Sequence, residues 1–390
     1  MIQRLNYRSL LMFFFVFAMG LFLISCGLKA VEPISEMDTP EHHFFTGMKF
    51  LDQEKFTDAK NEFDRANALD PKFSKAYAGN SLVSAYQQDF KTADEFMSKA
   101  WKYAKNDDEK LFVHVCKIRL YTLQKADKDW LDDAKGEFKK AIKIDPKCSA
   151  AHYFMGMAYK AALDFTNAGQ MFKQVIDINR DYVKEADMQW KITQKIQRAM
   201  PGTLVGKKIA ILEEISRADA AALFMEELKI DVLYKKRTVK TFDTAFKDPE
   251  KAKEAAIAAP KTATDIALHP LKADIEGILQ IGVRGLENYP DGSFHPYEMV
   301  TRATYAMMVE DILIKMTGDN ALATKFIGSQ SPFPDLRSDL PYFNSVMVVT
   351  SRGIMEAKDI STGEFAPVSH IPGADALLVI RKLKEELKIF

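Results

Sequence analysis

The sequence predicts an all-α protein, a helical solenoid of paired helices followed by a second, mostly helical domain with short loops and strands. Three observations predict it. A thirteen-residue pattern recurs in the first half: "AKNEFDRANALDP" at 59–71, "AKGEFKKAIKIDP" at 134–146 and "AGQMFKQVIDINR" at 168–180, with "ADEFMSKAWKYAK" at 93–105 a looser copy. Inside the copies, apolar residues keep the three-to-four spacing of one buried helical face. Beyond Pro201 that pattern vanishes and another begins, in which Gly282 and Gly353, and likewise Pro296 and Pro367, lie 71 residues apart.

Length and composition fit this organisation. A chain of 390 residues accommodates two or three domains, and 47% apolar against 28% charged residues is the balance of a core-forming chain. The 54 basic residues match 54 acidic ones. Nucleic acid is therefore not an expected partner, because binding it calls for a clearly basic face.

The N-terminus carries a targeting pattern. Arg4 and Arg8 precede an apolar run from Leu10 to Ile24, broken only by Gly20. Fifteen residues is short for a spanning helix, which takes roughly 20, and suits the apolar core of a secretory signal. The run ends Leu23-Ile24-Ser25-Cys26. This resembles a bacterial lipobox, which implies removal of residues 1–25 and lipidation of Cys26, whose thiol is the nucleophile. Several acyl chains would anchor the protein stably where one would not. Gly27 follows in place of the aspartate that signals inner-membrane retention, so the resemblance implies the periplasmic face of the outer membrane. Processing removes two arginines and no acids, leaving 52 basic and 54 acidic residues. Export would place Cys116 and Cys148 where disulfides can form, but they fall on different helical units and are expected as free thiols.

Residues 26–40 read as a short polar linker ("VEPISEMDTP" at 31–40), and 41–200 as the repeats. The last two full copies are offset by 34 residues. Small residues (Gly47, Ala59, Ala134, Gly156, Ala168) would let paired helices approach. Phe50, Phe63, Phe138, Tyr159 and Phe172 would fill the space between pairs, and Ala66, Ala141 and Val175 complete the stripe. Pro71 and Pro146 punctuate helix ends. The array resembles tetratricopeptide repeats, about four of them over 41–180, with Tyr182 to Ala199 as a capping helix. Copy two departs from the pattern at Asn80, Ser81 and Ser84. The resemblance implies a concave face that binds a protein or peptide partner through Phe44, Met48, Leu51, Leu82, Tyr86, Leu123, Tyr153, Met157 and Lys160, a set suited to adaptable apolar contact. The same side chains are equally suited to packing between repeats, and spacing does not separate the two roles.

In 201–390 the stretch 265–316 carries Asp265-Ile266, His269, Ile275, Ile278, Gly282, Tyr289, Asp291-Gly292, Phe294, Pro296 and Thr301-Arg302-Ala303. A second copy over 333–388 carries Phe333-Pro334-Asp335, Tyr342, Gly353-Ile354, Gly363, Phe365, Pro367 and Ala374-Asp375. A partial copy at 206–231 retains Ile215-Ser216-Arg217-Ala218-Asp219 and only its second helix. These stretches resemble S-layer homology units, which implies grooves between units that grip a cell-wall glycan. The chemistry is compatible. Ser216 and Thr301 are suited to cap their helices, Asp219 completes a capping box, and free N–H groups at a helix start favour an anion. Arg217 or Arg302 would add a fork shaped for a carboxylate, with Asp291 in the turn beside it. Thr304 stands where the family has an acid, and Pro372-Gly373 where it has Thr-Arg, so the last anion site is expected to be missing. The lysine- and alanine-rich stretch 232–262 reads as a linker with room for one short helix.

No enzyme pattern emerges. "GTLVGKK" at 202–208 has the wrong spacing for a phosphate loop and Lys208 where a hydroxyl should hold magnesium. His42-His43 lacks partners at zinc spacing. The expectation is a non-enzymatic, lipid-anchored envelope scaffold with no cofactor or metal, whose repeats hold a protein and whose C-terminal half holds wall polymer. The alternative is an assembly lipoprotein in which both halves make only protein contacts.

Overall fold

The computed structural model describes residues 30–237 and 262–389. Cys26 lies outside the described residues, as does most of the 232–262 stretch. The chain divides between Ala158 and Tyr159 into two compact units. Both are helical, in keeping with the all-α expectation.

The first unit contains α1 (Pro40–Asp52), α2 (Phe56–Leu69), α3 (Ser74–Tyr86), α4 (Phe90–Tyr103), α5 (Asp107–Gln124), α6 (Trp130–Ile144) and most of α7 (Ser149–Ala161). Successive helices pack as pairs, α1 on α2, α3 on α4 and α5 on α6. Several starts are capped locally: Thr39, Asp89 and Asn106 accept the N–H groups of His42, Thr92 and Glu109. Phe63 is fully buried. A Cβ on Gly47 would fall 2.6 Å from its ring and one on Gly79 2.5 Å, so glycine at both positions lets two helices close over the phenyl group.

Two of the departures in copy two, Asn80 and Ser81, have a packing explanation. Eleven of the thirteen residues of α3 are buried, so its polar side chains must find partners inside the fold. Ser74 Oγ donates to the Ala100 carbonyl and Ser81 Oγ to the Ala93 carbonyl, each at 2.7 Å, and Asn80 Nδ2 donates to Asp64 Oδ1 at 2.9 Å. The polar residues thus cross-link α3 to its neighbours.

Residues 31–38 differ from the expected linker. The Val31 N–H donates to the Ala68 carbonyl and the Ile34 N–H to Asp38 Oδ2, both at 2.8 Å. Asp38 is buried and paired with Arg65 and His43. A buried carboxylate is tolerated only with such partners, and here they fasten the segment onto α1 and α2.

The second unit begins within the end of α7 and runs through α8 (Phe165–Ile178), α9 (Val183–Ala199), α10 (Leu204–Ala210) and α11 (Arg217–Ala222), which continues as a π turn (Leu223–Glu227). Then come α12 (Ile230–Arg237), α13 (Lys272–Ile281), α14 (Arg302–Thr317), a 3-10 turn (Asn320–Thr324), α15 (Phe343–Ser351) and α16 (Gly373–Glu386). The sequence places the boundary near residue 200; the contacts place it earlier. Helix α9 packs along α16, Lys195 pairs with Asp375, and Ile196 and Ala199 share one core with Ile209, Leu223 and Ile380. At the centre of this core the buried rings of Phe224 and Tyr305 stack at 5.5 Å.

A ring of backbone bonds organises the C-terminal part. The Ile215 N–H donates to the Ile371 carbonyl (3.1 Å), Ile371 N–H to the Val300 carbonyl (3.0 Å), and Val300 N–H to the Ile215 carbonyl (2.9 Å). Each residue lies just before the start of α11, α14 or α16, so three helix starts close on one another. Antiparallel bridges join Ser216 to Met299 and Thr301 to His370.

Candidate functional site

At the start of α11, Ser216 accepts the Asp219 N–H while the Asp219 carboxylate accepts the Ser216 N–H, a complete capping box. The next two N–H groups are also used: Arg217 N–H donates to the Glu298 carbonyl (2.8 Å) and Ala218 N–H to the Pro296 carbonyl (3.1 Å). Helix α14 repeats this. Thr301 Oγ1 accepts from the Thr304 N–H (3.1 Å), Arg302 N–H donates to the Ser369 carbonyl (2.8 Å), and Ala303 N–H to the Pro367 carbonyl (2.9 Å). The N–H groups that a free helix start would offer an anion are therefore occupied by the neighbouring loop.

The arginines do related work. Arg217 is buried; its Nε donates to the Phe294 carbonyl (2.8 Å), and its terminal nitrogens to the Gly285 (2.6 Å) and Glu287 (2.8 Å) carbonyls. Its guanidinium also sits 4.7 Å from the Phe294 ring centre and 5.1 Å from that of Tyr289. All three nitrogens are committed inside the fold, which corrects the expectation of an open fork at Arg217. Asp291 is likewise a turn former, its Oδ1 accepting from the Ser293 N–H (2.9 Å) and hydroxyl (2.5 Å). At the third start, a Cβ on Gly373 would lie 1.8 Å from the Ile209 carbonyl oxygen. The α10 backbone fills the place where an arginine side chain would leave the helix.

Arg302 differs from Arg217 in its surroundings. Its Nε donates to the Phe365 carbonyl (2.8 Å) and one terminal nitrogen to the Glu356 carbonyl (2.6 Å). Burial pulls its pKa down, with Asp375 and Asp335 opposing. The side chain forms part of the wall of a cavity of about 410 Å3 that also takes in Lys195 and Arg198 of α9, Lys358, and Arg381 and Lys382 of α16. With Arg302 these make six cationic side chains, against the three carboxylates of Glu356, Asp375 and Glu385, an excess of three positive charges. Lys382 pairs with Glu356, Lys195 with Asp375 and Arg381 with Glu385. The bond from Lys382 is the main cause that lowers the Glu356 pKa; Arg198 and Lys195 add to it. Arg198 and Lys358 are exposed, and among the described residues neither is in an ion pair. The cavity can thus offer two uncommitted cations to an anionic group.

The expected partner-binding set in the repeats separates into two groups. Phe44, Leu51 and Leu82 are 5%, 3% and 0% exposed and belong to the core of the first unit, not to an open face. For Phe44 the neighbours are aromatic: its ring meets Phe112 of α5 edge-on at 5.2 Å and Phe73 at 6.0 Å. Tyr86 remains exposed, stacked on Phe56 at 5.3 Å. Met48, Leu123, Tyr153, Met157 and Lys160 are half-buried, and Lys160 donates to Gln189 Oε1 at 2.8 Å.

Among the described residues no group of histidine, cysteine or acidic side chains is arranged to hold a metal, and no helix is long and apolar enough to cross a membrane. Cys116 and Cys148 are not joined in a disulfide. No protein-family model matches the sequence, and no curated protein matches it either. The five cavity cations besides Arg302 were not singled out in the sequence. Lys195 and Arg198 sit one turn apart on α9, Arg381 and Lys382 are neighbours on α16, and only the packing of those helices brings the two pairs together.

Proposed function

We propose that this protein is a cell-envelope scaffold, tethered to a membrane through lipidated Cys26. Its N-terminal helix pairs, read as tetratricopeptide repeats, hold a protein partner. Its C-terminal part, read as degenerate S-layer homology units, binds an acidic cell-wall polymer. The observation that carries the polymer reading is the positive excess of the cavity beside Arg302, a surface on which a carboxylate or phosphate substituent would meet several donors at once. Arg302 shapes the wall of that cavity, while Arg198 and Lys358 supply free charge.

Sedimentation with purified sacculi tests this. The processed chain should pellet with them, and Arg198→Glu combined with Lys358→Glu should abolish most of the pelleting without lowering the melting temperature. Undiminished pelleting of the double variant would overturn the assignment. The second reading, an assembly lipoprotein making only protein contacts, draws support from Arg217, each of whose three guanidinium nitrogens donates to a backbone carbonyl inside the fold. It predicts no pelleting with sacculi and crosslinks to defined proteins in wall-free membranes.

A further inference from the structure

We propose that the N-terminal edge of the first unit rests on a phospholipid surface, touching it through Val31, Ile34, Met37 and Phe45. The inference depends on the reading that the chain is tethered at Cys26. The four side chains are 48%, 87%, 64% and 67% exposed. Isolated exposed apolar residues are ordinary. Here, however, four of the six large exposed hydrophobics among the described residues of the first unit fall within fifteen consecutive positions; the others are Tyr86 and Trp101.

Their attachment is firm. Asp38 turns inward onto Arg65 and His43, and its N–H donates to the Ser35 carbonyl at 3.1 Å, closing a turn that leaves Ile34 and Met37 outside. The Val31 bond to Ala68 fixes the start of the segment to the end of α2. From Cys26 to Val31 there are five residue steps, which span at most about 17 Å when fully extended. A membrane anchor at Cys26 therefore holds these side chains within reach of the interface. Glu32, Glu36 and Glu41 are exposed among them. Those carboxylates oppose anionic headgroups, so the surface fits zwitterionic phospholipid.

Vesicle flotation of the chain from residue 27 onward, which carries no acyl group, isolates this contact. The chain should float with phosphatidylcholine vesicles and less well when phosphatidylglycerol is added. Ile34→Ser with Phe45→Ser should reduce the bound fraction roughly tenfold at unchanged melting temperature. Equal flotation of the two chains, or no flotation of either, would overturn the proposal. So would a double variant that changes only the mass of the free chain in sedimentation equilibrium, since the patch would then join two copies. Loss of sacculus binding leaves this result standing, and absence of an acyl mass on Cys26 in cell-derived protein would separately remove the tether.

Discussion

The Nε of Arg302 donates to the Phe365 carbonyl at 2.8 Å while its guanidinium carbon lies 4.6 Å from the centre of the Phe365 ring. Arg217 holds Phe294 in the same way, at 2.8 Å and 4.7 Å. Each arginine therefore staples a helix start to a loop far along the chain, 77 residues on for Arg217 and 63 for Arg302, and an ammonium cannot reproduce the planar fork. Arg217→Lys frees donors from three carbonyls and should cost about 2–4 kcal/mol, and Arg302→Lys, with two carbonyls, should cost less. Urea denaturation of both variants checks the order. Equal, small losses would mean the bonds contribute little.

The third helix start makes the opposite demand. A methyl group at 373 would meet backbone, the Ile209 oxygen at 1.8 Å and its carbon at 2.7 Å, and neither can swing away as a side chain can. Gly373→Ala should destabilise the second unit by about 3 kcal/mol or more. Gly136→Ala is the control. It lies inside α6 with nothing within 4 Å of its added Cβ, and it should stabilise by about 0.5–1 kcal/mol. Thermal unfolding of the pair reads both signs.

What was legible in the sequence was mainly local. Ser216 with Asp219, and Thr301, announce helix starts because a cap is written within four residues. Gly47 and Phe63 are readable because a small residue and a ring recur at repeat spacing. The role of Arg217 was not readable, because its partners Gly285, Glu287 and Phe294 lie about 70 residues away and act through backbone oxygens that carry no sequence signature. Phe44 and Leu82 were misplaced for a related reason. An apolar stripe states that a face is covered but not by what, and Phe112, which meets Phe44, lies 68 residues further along the chain on α5. The cavity cations required the packing of α9 on α16, which no pattern in either helix encodes.

The thiols should react at very different rates. Burial pushes Cys116 up to about 12, with Arg119 opposing, so almost none of it is thiolate at neutral pH. Cys148 is only half-buried. In a chain with Cys26→Ser, a disulfide reagent should titrate one thiol under native conditions and the second only after denaturation. Two fast thiols would show that α5 opens readily.

Acid should loosen the first unit through Glu137. Burial raises the pKa of this carboxyl, but hydrogen bonds from His114 (2.5 Å) and Lys140 (2.7 Å) outweigh it and bring the pKa from 4.5 down to about 2. A depressed folded-state pKa means that the stabilisation is complete above the unfolded value of 4.5 and disappears as pH falls towards 2. Discounted for the exposure of Lys140, it amounts to about 2 kcal/mol. Glu137→Gln removes the titration and keeps the shape. Wild type should therefore be the more stable chain at neutral pH, and the gap should narrow between pH 4.5 and 2 as its own carboxyl protonates. Denaturant midpoints across that range measure the gap directly. A difference that stays constant with pH would mean that Glu137 acts by packing and not by charge.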